Sequence, residues 1–140
     1  MYLLDTNLVS ELRKVRAGKA DRNVAEWSDS VDANELYISV ITVQELEIGV
    51  LLTERRDQAQ GSMLRTWLDR HVLPAFDNRI LSVDVAVALR SAQLHIPDPC
   101  PVRDGLIAAT ALVHGMTVVT RNTADFEPTG AATLNPWLAR

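Results

Sequence analysis

Asp5, Glu45, Asp104 and Asp125 are the carboxylates of this 140-residue sequence whose surroundings suggest chemistry. Asp5 follows the apolar run Tyr2-Leu3-Leu4 and precedes Thr6-Asn7. Glu45 comes soon after a second apolar run, Leu36-Tyr37-Ile38, and Asp104 heads a segment rich in small residues. The amide Asn122 follows Thr117-Val118-Val119-Thr120, with Asp125 three residues later. Brought together, such side chains repel one another unless protons or cations intervene. Oxygen-only donors suit Mg²⁺ or Mn²⁺, which keep waters and also bind phosphate oxygens. A site of this kind can activate a water and stabilise the leaving oxygen of a phosphodiester.

Each residue also has an ordinary structural explanation. Thr42-Val43-Gln44-Glu45 matches a capping box, in which Glu45 would bond the Thr42 backbone amide. Asp104 could be a first-turn acid favoured by the helix dipole. Asp5 could cap the helix that follows it, and Asp125 could cap a turn. His71, His95 and His114 lie on unrelated segments without metal-ligand spacing. Cys100 has no evident histidine partner in the sequence, so a thiol nucleophile is not expected. Trp27 and Trp67 read as core anchors. A phosphate-binding glycine loop and a nucleophile elbow are both missing from the sequence.

The elements that must hold these residues alternate between strand and helix. Tyr2–Leu4 reads as a buried strand, Asp5–Asn7 as a turn, and Ser10 to about Lys14 as a short helix. Asp21 caps a helix with Val24, Trp27 and Val31 at helical spacing. After the strand at 36–38, Thr42 opens a helix carrying Leu46, Val50 and Leu51, ending near Arg55. A further helix is expected from about Gln58 to His71, with Leu64, Trp67 and Leu68 on one side. Ile80–Val83 reads as a strand, and Asp84 caps a helix to about Leu94. Prolines at 97, 99 and 101 impose a loop. Arg103 or Asp104 begins the next helix, which runs through Leu112 and stops at Gly115. Thr117–Thr120 is a strand, and Arg121–Thr123 a turn. Alternation of this kind predicts an α/β fold with a mostly parallel, helix-covered sheet. Ligands of such sheets gather beyond the C-terminal strand ends, where strand order reverses.

Composition sets the limits. With 47% hydrophobic and 23% charged residues, residues 1–140 suit one globular domain with its own core. A formal net charge of −4 argues against binding nucleic acid through phosphate contacts alone. Either the substrate is something else, or metal ions bridge an acidic site to phosphate. Lys14 and Lys19 are the only lysines, so the basic charge is nearly all arginine. The lone Cys100 excludes an internal disulfide. Met1 runs straight into a strand-like segment with no charged-then-apolar leader. No apolar run nears the roughly 20 residues that span a bilayer. A soluble, cytoplasmic protein without membrane association is expected.

Four segments, in order, resemble the motifs of VapC-type PIN-domain toxins. They are Leu3-Leu4-Asp5-Thr6-Asn7 with Val9-Ser10-Glu11; Ile41–Leu46 with Ile48-Gly49-Val50; Asp104–Ala111; and Thr117–Asn122 with Asp125-Phe126. Asn135-Pro136-Trp137 resembles the tail of the FitB-like subgroup. The resemblance covers essentially the whole chain. It implies one PIN domain with a parallel sheet of about five strands flanked by helices. It also implies an acidic pocket for Mg²⁺ or Mn²⁺, with Asp5 and Asp104 as main ligands and Glu45 completing the set or orienting a water. Thr6 and Thr120 would support the carboxylates by hydrogen bonds, with Asn122 and Asp125 alongside. The implied reaction is hydrolysis of RNA phosphodiesters by a metal-activated water, in single-stranded or looped RNA. The implied partners are a small DNA-binding antitoxin, operator DNA reached only through it, and a second copy of the chain in a homodimer or larger assembly.

Asn122 departs from the resemblance, because many such proteins carry an aspartate there. An amide adds no charge, which favours one firmly bound metal, a second arriving with substrate. A phosphatase or receiver domain with Asp5 as phospho-acceptor explains neither Glu45 nor the Asp104 segment and ranks last, and two alternatives stay open ahead of it. One is an RNA-processing PIN nuclease without an antitoxin. The other is a PIN-fold binding module with weak or no nuclease activity.

Overall fold

A computed structural model of the chain describes residues 1–138. Its first strand, β1 (Tyr2–Leu4), pairs in parallel with β2 (Leu36–Ser39) on one side and β4 (Thr117–Val119) on the other. β3 (Ile80–Leu81) extends the sheet beyond β2, and β5 (Thr133–Leu134) extends it beyond β4. The order is β3-β2-β1-β4-β5, all parallel. Strand order therefore reverses between β1 and β4, and Asp5 and Thr120 are the residues that leave those two strands.

Alternation along the strands sends side chains to two cores, one on each sheet face. Leu4, Ile38 and Val119 join Leu8, Val24, Trp27, Leu46, Val50 and Leu68 on one face. Those residues come from α1 (Thr6–Leu12), α2 (Arg22–Ser30), α3 (Val40–Arg56) and the helical stretch after α4 (Gln58–Trp67). Leu3 and Val118 face the other way, against Ile107, Ala108 and Ala111 of α7 (Val102–His114) and Phe126 of α8 (Thr123–Phe126). The alanines let α7 lie close to the sheet. α6 (Val85–Gln93) packs against α7, and Gly115, at φ 67°, ends α7 in the left-handed conformation that glycine adopts freely.

Several boundaries differ from expectation for identifiable reasons. α1 starts at Thr6 rather than Ser10, because the Asp5 carboxylate accepts the Thr6 amide and caps it. α3 starts at Val40 rather than Thr42, since the Ser39 hydroxyl accepts the Ile41 amide. α4 ends at Trp67, and a π-turn over Leu68–Val72 carries the chain into α5 (Leu73–Ala75). β3 and β4 are shorter than their apolar runs. Leu51 is exposed, while Leu46 and Val50 form the buried face of α3. α3 and α4 cross closely at Gly61, where an added Cβ would lie 2.6 Å from the Glu54 Cα. Arg65 Nη1 and Nη2 clamp the crossing, each donating at 2.7 Å to a different oxygen of Glu47. Among the described residues, no helix is long and apolar enough to cross a membrane.

Candidate active site

β1 delivers Asp5 to the reversal point, and its backbone amide still follows the sheet, donating to the Val119 carbonyl at 2.9 Å. Its side chain is held on both oxygens. Oδ1 accepts the Thr6 amide at 2.8 Å, and Oδ2 accepts the Thr120 hydroxyl at 2.8 Å. The Asn7 amide donates to Oδ2 and to the Thr120 hydroxyl, both at 3.4 Å. The Thr120 hydroxyl in turn accepts the Asn122 backbone amide at 3.0 Å. Asp5 is thus both a helix cap and a buried carboxylate aimed by the neighbouring strand.

Glu45 does not form the capping box that was the alternative reading of its spacing from Thr42. α3 begins two residues earlier, which places Glu45 one turn into the helix, facing α1. Its Oε1 accepts the Thr6 hydroxyl at 2.6 Å. Its Oε2 lies 3.4 Å from Arg103 Nε. The buried Thr42 supports this contact from below, its hydroxyl 3.4 Å from that of Thr6.

Asp104 sits in the first turn of α7, half-buried beside Arg103. Burial raises its proton affinity above the usual carboxylate value, and the charges of Asp5, Glu45 and Asp125 raise it further against the pull of Arg103. Asp5 is likewise pushed up, chiefly by burial. The Thr120 and Thr6 hydrogen bonds oppose that shift, and Glu45 and Asp125 add to it. The four carboxylates therefore share one electrostatic neighbourhood, built from β1, α3, α7 and α8. Among the described residues, no three His, Cys, Asp or Glu side chains close to metal-ligating distance of a common point. The cluster is a set of neighbouring carboxylates at the sheet end rather than a closed cage.

Asn122 is exposed, and only its backbone amide bonds into the site. Asp125 closes the turn through its amide to the Asn122 carbonyl at 3.1 Å, while its charge reaches Asp5 and Asp104. Sequence reasoning passed over Asn7, which bridges Asp5 and Thr120, and Arg103, the cation against Glu45. Asn7 lies in the same polar triplet as Asp5 and Thr6, a signal that was present. Arg103 offered only its place beside Asp104. Cys100 does have a histidine neighbour: its amide donates to His95 Nδ1 at 3.4 Å, and its sulfur lies 3.9 Å from both ring nitrogens. The two are five residues apart across the proline loop, which bends them together on the α7 side of Gly105.

The PIN domain family model matches residues 2–130 of the chain. The chain is 39% identical over 142 residues to the toxin FitB of Neisseria gonorrhoeae, covering 98% of this chain and 99% of that protein. It is 37% identical over 142 residues to VapC ribonuclease Y4jK of Sinorhizobium fredii, covering 98% of each. Among solved structures, FitAB bound to an IR36 DNA fragment superposes with a TM-score of 0.88 at 36% identity, covering 100% of this chain and 98% of that one.

Proposed function

The chain belongs to the PIN domain family, and from that premise we propose that it is the toxin of a type II toxin–antitoxin pair, a divalent-metal-dependent endoribonuclease. The observation that carries the reading is Asp5, buried at the strand-order reversal and held at 2.8 Å by both Thr6 and Thr120, with Glu45 and Asp104 within reach of its charge. This is where an α/β sheet binds ligands, and burial with the neighbouring acids raises the proton affinity of Asp5 and Asp104 there.

The donor set fits a hard divalent cation. It offers oxygen atoms only, from carboxylates whose mutual repulsion a cation relieves. Asp5 and Asp104 would hold Mg²⁺ or Mn²⁺, with Glu45 completing the set. When bound, the cation supplies acidity to a water and countercharge to the phosphodiester. The chain's own residues do the rest. Thr6 and Thr120 fix the carboxylate directions, so that little reorganisation is needed during reaction. With Oε1 of Glu45 occupied by Thr6, Oε2 would be the oxygen that completes the donor set or orients a water there. Arg103, now beside that oxygen, offers charge to the incoming backbone. Asn122 contributes no charge, so one metal would be held firmly and a second would arrive with the phosphate.

An antitoxin with a DNA-binding part is the fitting partner, because relatives at this level of identity include a protein named as a toxin and a complex on DNA. The toxin pairs with a second copy of itself, reaches operator DNA only through the antitoxin, and works in the cytoplasm. The test is cleavage of a single-stranded RNA pool by the purified chain with Mn²⁺, with EDTA, and as Asp104→Asn. Cleavage confined to the Mn²⁺ lane of the unaltered protein is expected. Cleavage that survives EDTA or the substitution would overturn the assignment of the pocket.

A further inference from the structure

The Asn135-Pro136-Trp137 segment supplies no carboxylate to the pocket, yet it is tied to one residue at the pocket's edge, Arg121. Asn135 Nδ2 donates to the Arg121 carbonyl at 3.3 Å, and Asn135 Oδ1 accepts the Trp137 amide at 2.9 Å. Pro136 is buried, and the Trp137 carbonyl accepts Asn23 Nδ2 of α2 at 2.8 Å. The indole so fixed lies under the Arg121 guanidinium, 5.4 Å from its carbon to the ring centroid. From the opposite side, the Arg121 amide donates at 3.4 Å to Asn7 Oδ1, the same Asn7 whose amide group reaches Asp5. Arg121 directly follows Thr120, whose hydroxyl holds Asp5.

Arg121 is thus a cation anchored on both sides of its peptide and one residue from the acidic pocket. It is exposed, and among the described residues it makes no ion pair, whereas Arg103 rests against Glu45 at 3.4 Å. An aromatic face holds a guanidinium by its plane and leaves the N–H edge free, and that edge matches the paired oxygens of a phosphodiester. An acidic chain that must draw a polyanion to a carboxylate pocket needs cations placed at the pocket itself.

We propose that Arg121, held on the Trp137 ring by the Asn135-Pro136-Trp137 tail, binds a backbone phosphodiester of the RNA next to the bond that is cut. This deepens the nuclease reading and rests on it. Arg121 fixes the substrate strand and takes no part in the proton transfers. Trp137 and Asn135 are positioning residues that act through it.

The experiment separates binding from cleavage. In an Asp104→Asn background, a labelled single-stranded RNA pool is titrated by fluorescence anisotropy at several salt concentrations. Adding Arg121→Gln weakens binding about tenfold, as loss of one charge-assisted contact does. It also lowers the slope of log affinity on log salt by about 0.7, the value for one phosphate contact on a single strand. Trp137→Leu weakens affinity less and Trp137→Phe restores it, with thermal melts checking that both fold. In the cleaving protein, Arg121→Gln raises KM and leaves kcat within about twofold, the pattern of lost uniform binding. An unchanged salt slope and KM overturn the proposal while leaving the nuclease intact. An effect of Arg121→Gln on antitoxin affinity alone overturns it too, moving the guanidinium to a protein interface. A wild-type protein that cleaves no RNA with any divalent metal would instead remove the nuclease reading beneath it.

Discussion

Replacing Thr120 with Val keeps the shape of a fully buried side chain and removes one hydroxyl. That hydroxyl donates to Asp5 Oδ2 at 2.8 Å and accepts the Asn122 amide at 3.0 Å. A buried hydrogen bond to a charged group contributes about 1.5–3 kcal/mol, whereas one between neutral groups contributes about 0.5–1.5 kcal/mol. With metal removed, Thr120→Val should therefore cost about 2–3 kcal/mol at any pH above the raised folded-state value, where Asp5 is charged. The loss must depend on pH in a fixed direction. Burial holds the folded-state proton affinity of Asp5 above its ordinary value of 3.8, and the Thr120 bond pulls it back. The variant thus binds the Asp5 proton more tightly than the wild type. Its deficit is full above both folded-state values and shrinks toward about 1 kcal/mol as acid protonates Asp5 in both proteins. Urea unfolding in EDTA, at neutral pH and in mild acid, measures this. An equal loss at both pH values would show that the hydroxyl does not serve a charged Asp5, and the account of how the carboxylate is aimed would fail.

Three further outcomes are expected. Asp104→Asn abolishes RNA cleavage yet raises the melting temperature of the metal-free protein at neutral pH, because burial and its acidic neighbours disfavour the charge there. A group held above its ordinary 3.8 stabilises the fold only while protonated, so the gain must fade as pH falls through the folded-state value; a variant that melts lower at neutral pH contradicts this. Asn122→Asp adds a carboxylate beside the pocket and tightens Mn²⁺ binding severalfold, and unchanged affinity in calorimetry would remove residue 122 from the site. Gly61→Ala forces a Cβ to within 2.6 Å of the Glu54 Cα, so α3 and α4 must separate at a cost of about 1–3 kcal/mol. An unchanged urea midpoint would mean that the crossing yields freely.

Much of this site was legible because strand ends announce themselves. Asp5 follows an apolar run, and the rule that ligands collect beyond C-terminal strand ends singles it out without coordinates, whereas Thr120 entered only through the family resemblance. Glu45 shows where local reading stops. Its spacing from Thr42 satisfies a capping box, but Ser39 caps the helix first, and the carboxylate turns to Thr6, a residue 39 positions away. A local motif cannot register a competitor that only the fold brings near. The same holds for His95 and Cys100, which a proline loop folds together although their spacing matches no thiol or metal motif. β5, with two residues, is too short to show a periodicity, and strand order depends on which helices cross which face. Parallel pairing and the α/β class follow from the alternation of elements, whereas the reversal between β1 and β4 needed the structure.

The bond between Thr120 and Asp5 joins positions 115 apart, so the site closes only when the two ends of the chain meet. β4 must pair with β1 before Asp5 acquires its second restraint, and β4 begins only at Thr117. During synthesis, Asp5, Glu45 and Asp104 all leave the ribosome ahead of β4, which brings the second restraint on Asp5. A nascent chain, or one truncated before β4, therefore lacks the assembled pocket even though it carries all three of these acids. Under the proposed nuclease reading, a chain still in synthesis would carry these acids without the restraint on Asp5 that cleavage needs.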